Sequence, residues 1–134
     1  MSEAERTASQ SIESGADVAG VLRVLSNPLL IPLWAPPFAD AVQSDGDRGW
    51  QVIKGENTFP LRLVIHPDAG TVDYLRRIAS GQEGGAYLRV VPRPGGGSVI
   101  TMTAPIAPGV LHDDAVAGLR TELEALDGLV GCSG

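Results

Sequence analysis

The side chains able to do chemistry are few, and the five best placed sit on stretches of alternating pattern: His66, Asp73, Tyr74, Tyr87 and Arg89. An inward Arg89 would offer a fixed fork of donors suited to a carboxylate or carbonyl oxygen. If the hairpin around Gln82 is regular, Asp73 falls on the neighbouring strand and shares a face with Arg89. A slip of one residue separates them, because side chains alternate between faces. A charged pair in an apolar cavity is costly unless it meets a ligand or a full set of hydrogen bonds. In a catalytic arrangement Arg89 with Tyr74 or Tyr87 would polarise a carbonyl, and Asp73 or His66 would move a proton. The competing readings are an outer-face Arg89 and, since His66 directly precedes Pro67, a solvent-exposed turn histidine.

The apolar candidates for a pocket wall are Trp34, Trp50, Leu63, Ile100, Met102, Leu119 and Leu123. Indole offers a large apolar surface with one donor, and methionine adapts to a variable wall; plain core packing explains the tryptophans equally well. Other site chemistries lack their patterns. No Gly-x-Ser-x-Gly elbow occurs. The glycines of Pro94-Gly95-Gly96-Gly97-Ser98 have neither the lysine nor the following helix of a phosphate loop, and read as a hairpin turn. His66 and His112 are far apart and no metal-ligand spacing is present, so neither metal nor cofactor is expected.

The elements that must position these residues can be read in order. Residues 1–7 read as a frayed terminus, 8–131 as one domain and 132–134 as a tail. A short strand over 8–13 is anchored by Ile12, and Ser14 with Asp17 resembles a capping box. Val18, Val21, Leu22 and Leu25 follow at helical spacing, and Asn27-Pro28 stops that helix. Leu29 to Trp34 forms one further turn, ended by Pro36-Pro37. The period then moves toward two. Strands are predicted over 38–43, 49–54, 58–66, 71–78, 86–91 and 98–103, separated by turns at Asp45-Gly46-Asp47, Gly55-Glu56-Asn57, Pro67 to Gly70, Gly81 to Gly85 and Pro94 to Gly97. Short turns favour an antiparallel meander, since parallel strands need long crossovers. Val116, Leu119, Leu123, Leu126 and Val130 then make one apolar helical stripe, opened by Asp113 and Asp114 and ended by Gly128 and Gly131. Arg120 and Glu124 are placed to pair on its outer side.

A sheet with one face to bury and a helix with one stripe solve each other's problem by packing together. The expected fold is therefore α+β: six to seven antiparallel strands curved around a long C-terminal helix, with a cavity near the helix ends. At 134 residues and 43% apolar content the chain suffices for one core without disulfides or metal. A net charge of −6 and a single lysine argue against nucleic acid as a partner. The longest apolar stretch, Leu29 to Phe38, is too short and too proline-rich to span a bilayer. The acidic start is unlike a signal peptide and Cys132 stands alone, so a cytoplasmic protein is expected, a monomer or, through an exposed strand edge, a homodimer.

Ser11-Ile12-Glu13-Ser14-Gly15-Ala16-Asp17-Val18, Leu25-Ser26-Asn27-Pro28 and Ile31-Pro32-Leu33-Trp34-Ala35-Pro36 together form an ordered pattern. With Gly70-Thr71-Val72-Asp73-Tyr74, Arg89-Val90-Val91-Pro92 and the strand Gly97 to Thr103, it resembles the SRPBCC proteins of the START and birch-pollen-allergen superfamily. Within that superfamily it is most similar to the small bacterial polyketide cyclase/dehydrase-like branch. The chain departs from the pattern at Ala19-Gly20, where a bulky aromatic is usual. The resemblance implies a helix-grip fold and a deep cavity for a small hydrophobic or amphipathic molecule such as a lipid or polyketide. A cyclase or dehydratase is the alternative it implies. A third reading, an interaction module with a filled core, needs no cavity.

Overall fold

The computed structural model describes residues 6–77 and 83–133. The chain opens with strand β1 (Thr7–Ser14), followed by helices α1 (Val18–Leu25) and α2 (Ile31–Trp34), joined by a 3₁₀ turn at Pro28–Leu30. Six strands follow: β2 (Ala41–Ser44), β3 (Trp50–Lys54), β4 (Asn57–His66), β5 (Thr71–Arg77), β6 (Glu83–Pro92) and β7 (Ser98–Pro105). Helix α3 (His112–Ser133) closes the chain. The strands form one sheet in the order β1-β7-β6-β5-β4-β3-β2, and every neighbouring pair is antiparallel. The sheet is curved, with the short helices and α3 packed against it in the helix-grip arrangement.

Alternation sets which residues meet the helix. Val72 and Tyr74 on β5, Leu88 and Val90 on β6, and Ile100 and Met102 on β7 are all buried, and they face the stripe Leu119, Leu123, Leu126 and Val130. Burying an aliphatic side chain of this kind contributes about 1.5–3 kcal/mol. The intervening residues face outward, where Ser9 bonds Thr103 and Ser11 bonds Thr101, each at 2.7 Å between hydroxyl oxygens.

Close backbone approach requires glycine at Gly97 and Gly85, among other positions. Gly97 turns from β6 into β7 at φ +81°, and a Cβ there would lie 2.3 Å from the Ser14 carbonyl oxygen. Gly85 lets β6 approach β5, since a Cβ there would lie 1.8 Å from the carbonyl oxygen of Tyr74.

Several local expectations are corrected. Ser14 does not cap α1; Asp17 does, its carboxylate accepting from the Gly20 N–H at 2.8 Å. Ser14 closes β1, only 1% exposed, accepting from the Ala16 N–H at 3.1 Å and donating to the Asp127 carboxylate on α3 at 2.6 Å. The first strand begins at Thr7 because Arg6 is already tied down: its carbonyl accepts from the Ile106 N–H and its guanidinium donates to the Val110 carbonyl. β2 starts three residues later than expected, because Phe38 and Ala39 still bond back to the Ala35 carbonyl. β6 begins earlier than expected, so Gly84 and Gly85 belong to the strand and not to the turn. Ile78, Gly81 and Gln82, included in the predicted strand end and turn, lie outside the described residues.

Helix α3 also runs through Gly128 and Gly131, which were expected to end it. An interior glycine costs about 1 kcal/mol relative to alanine. Packing overrides that cost, because Val130 is buried and lies close to Gly20 on α1.

Ser14→Ala is therefore expected to destabilise the protein by about 1–3 kcal/mol, since it strips partners from two groups at a buried joint. Denaturant unfolding checks this. If the loss comes from the tie to α3, it shrinks when Ser14→Ala is made in an Asp127→Asn background.

Candidate functional site

A cavity of about 730 Å³ lies between the sheet, α2 and the first half of α3. Its wall is mostly apolar: Ile31 and Trp34 from α2, Ala35 and Phe38 after it, Ala86 on β6, Met102 and Ala104 on β7, Ile106 beyond, and Leu119 on α3. The exposed lining residues Arg6, Pro37, Arg76, Ala107 and Pro108 form a rim. The Arg76 guanidinium sits 4.6 Å from the centre of the Phe59 ring, which meets Phe38 edge-on at 5.7 Å. Cation and rings thus buttress one side of the opening.

Three polar groups interrupt the apolar wall. Tyr74 is buried, its hydroxyl donates to the Leu25 carbonyl, and its ring lies 6.0 Å from that of Trp34. Burial pushes the Tyr74 phenol far up from its ordinary value, so it stays neutral. Trp34 is 3% exposed, and its Nε1 is buried with no hydrogen-bond partner among the described residues. An unsatisfied buried donor costs about 1–3 kcal/mol. Glu122 is the third, a half-buried carboxyl on α3 with no ion pair among the described residues. Burial pushes its pKa up to about 7, from an ordinary 4.5.

A carboxyl whose pKa is raised on folding holds its proton in the folded state where the unfolded chain has lost it. Its favourable state is complete below about pH 4.5 and is lost as pH rises toward 7. Glu122→Gln removes this term. The variant is expected to match the wild type near pH 4 and to exceed it at pH 8 by about 1–2 kcal/mol, discounted for partial exposure. Thermal unfolding of both proteins across that range measures the difference.

Of the residues singled out in the sequence, Trp34, Tyr74, Met102 and Leu119 line the cavity. Ile100 and Leu123 are fully buried in the adjoining core, and Leu63 and Trp50 pack against that core further along the sheet. Asp73, Tyr87 and Arg89 do not reach the cavity. Asp73 pairs with Tyr87 and Thr71 with Arg89 across β5 and β6, out of phase with the buried Val72, Tyr74, Leu88 and Val90. The pairing of β5 with β6 is regular and the two charges do share a face, but it is the convex one. His66 is exposed at the end of β4.

The sequence reading missed Glu122, Arg6 and Arg76. Glu122 follows Leu119 by three positions and precedes Leu126 by four, so a carboxyl at the border of the apolar stripe was the available signal. Arg6 lies in the segment that reads as a frayed terminus, and no pattern in the sequence singles out Arg76.

No family model matches the chain, and no curated protein matches it. Solved structures do. A Mesorhizobium loti protein superposes with a TM-score of 0.68 at 16% identity, over 96% of this chain and 99% of its own. A START superfamily protein from Mycobacterium smegmatis gives 0.67 at 15% identity, over 96% and 99% of the two chains. The Zhui aromatase/cyclase of a Streptomyces species gives 0.63 at 16% identity, over 96% and 94%. The likeness is one of fold. It is the helix-grip fold of START and SRPBCC proteins, as the sequence pattern implied. Among the described residues no helix is long and apolar enough to cross a membrane, and no group of three metal-ligating side chains occurs.

Proposed function

We propose that the protein binds a small hydrophobic or amphipathic molecule, of lipid or polyketide type, in the cavity between sheet and C-terminal helix. The observation that carries this reading is a chamber of about 730 Å³ walled mainly by Ile31, Trp34, Phe38, Ala86, Met102, Ala104 and Leu119. Small-molecule sites commonly fall within about 300–1,000 Å³ and have apolar walls with a few polar groups. Binding is favoured over the cyclase or dehydratase alternative because Arg89, Asp73, Tyr87 and His66, which that chemistry would have used, lie off the cavity. A neighbour named an aromatase/cyclase leaves the choice open, since one fold hosts many functions. The same reading takes the protein as a cytoplasmic monomer or homodimer.

Displacement of a fluorescent fatty acid at pH 5.5, with native mass spectrometry of gently purified protein, tests the proposal. Saturable binding with competition by lipids or polyketides is expected. A broad panel that neither binds nor displaces the probe dismisses it and favours an interaction module.

A further inference from the structure

The rim and the wall of the cavity carry opposite charges in unequal surroundings. Arg6 and Arg76 are exposed and already engaged, the first with the Val110 carbonyl at 2.9 Å and the second with the Phe59 ring. Water and salt screen such cations strongly. Glu122 lies in the wall, half-buried, and among the described residues no cation pairs with it. Nor do the elements packed against α3 supply one. α2 and β7 hold no titratable side chain, and Arg23, the one on α1, is exposed. On β1 the only such group is Glu13, exposed and paired with Arg93 at 3.3 Å. The remaining titratable lining group, Tyr74, has its hydroxyl committed to the Leu25 carbonyl.

We infer that Glu122 is the specificity-determining residue of the cavity: it favours uncharged apolar occupants over carboxylate-bearing ones and couples their binding to uptake of a proton. The inference rests on the cavity being a ligand site. An apolar molecule entering it displaces the water that solvates the Glu122 carboxylate. Burial disfavours the charged form, so the occupied site holds the proton more tightly than the empty one. By linkage the protonated protein binds such a molecule more tightly. A pKa already pushed up to about 7 puts this exchange near neutrality. An occupant with its own carboxylate meets the ionised Glu122 as a like charge within a poorly solvated wall, and is disfavoured as pH rises.

The test uses two fluorescent probes that differ in charge, pyrenebutanol and pyrenebutyrate, titrated from pH 5.5 to 8.5 into the wild type and Glu122→Gln. Wild-type affinity for pyrenebutanol is expected to fall about tenfold over that range, the factor that follows if occupancy raises the carboxyl pKa by about one. In Glu122→Gln the affinity is flat and stays at the wild type's acid-side value. Pyrenebutyrate binds the wild type more weakly than the alcohol at pH 8.5, and the variant narrows that gap. Calorimetry of the alcohol at pH 7 in two buffers of different ionisation enthalpy detects proton uptake in the wild type and none in the variant. Alcohol binding that is independent of pH in the wild type, or equally pH-dependent in both proteins, overturns the role of Glu122 and leaves the cavity reading standing. If neither probe binds either protein at any pH, both readings fall together.

Discussion

Leu123→Ala is expected to destabilise the protein by about 2–5 kcal/mol, among the largest effects available to a single substitution in this chain. Leu123 is fully buried, and it lies in the stripe through which α3 meets the concave side of the sheet. Truncation removes the transfer free energy of its branched end and leaves a void within the buried cluster between α3 and the sheet. The site has little freedom to collapse, because the part of α3 that follows it is held in place. The first half of α3 borders the cavity through Leu119, and its C-terminal half is tied to β1 through Ser14 and Asp127 and to α1 through Val130. Equilibrium denaturation in urea measures the loss, with an unchanged slope marking it as a native-state effect. Glu124→Ala, made one residue along on the exposed side of the helix, removes the Arg120–Glu124 pair at 3.7 Å and is expected to cost less than about 0.5 kcal/mol. Comparable losses at the two positions would mean that α3 does not pack through its stripe.

That contrast also marks what was legible in the sequence. The stripe of α3, the period of the strands and the Asn27-Pro28 and Gly97 breaks are local signals, and the fold class follows from burying one stripe against one sheet face. Features set by long-range geometry were not legible. Ser14 carries the residue type of a cap, but its partner is Asp127, more than a hundred positions away. Gly128 and Gly131 carry stop signals that tertiary packing of Val130 outweighs. The face taken by Asp73, Tyr87 and Arg89 is one register choice, invisible until Val72, Leu88 and Val90 are known to point inward. The candidate site was half legible for the same reason. Trp34, Tyr74, Met102 and Leu119 are apolar or aromatic residues on faces that periodicity could assign, whereas Glu122 looks like a solvated helix residue until the fold half-buries it in the cavity wall.

Ala104→Trp is expected to abolish ligand binding while leaving the fold intact, and it separates the cavity from the core around it. Ala104 lies on β7 in phase with the buried Ile100 and Met102, so a larger side chain there enters the chamber. An indole placed in a well-packed core would cost about 1–3 kcal/mol through strain. Within about 730 Å³ of unfilled space it instead finds room, and the contacts it makes with Met102 and Ile106 offset the lost freedom of the side chain. Thermal stability is therefore expected to stay within about 1 kcal/mol of the wild type. Affinity for any occupant is expected to fall at least about thirtyfold, the equivalent of about 2 kcal/mol of excluded contact. Fluorescence titration against the wild type reads the loss, and a melting curve confirms that the variant is folded. Binding that survives Ala104→Trp in a folded protein would place the ligand outside this chamber. A variant that unfolds would mean that the space between sheet and α3 is already filled by the chain itself, which is what an interaction module with a packed core requires.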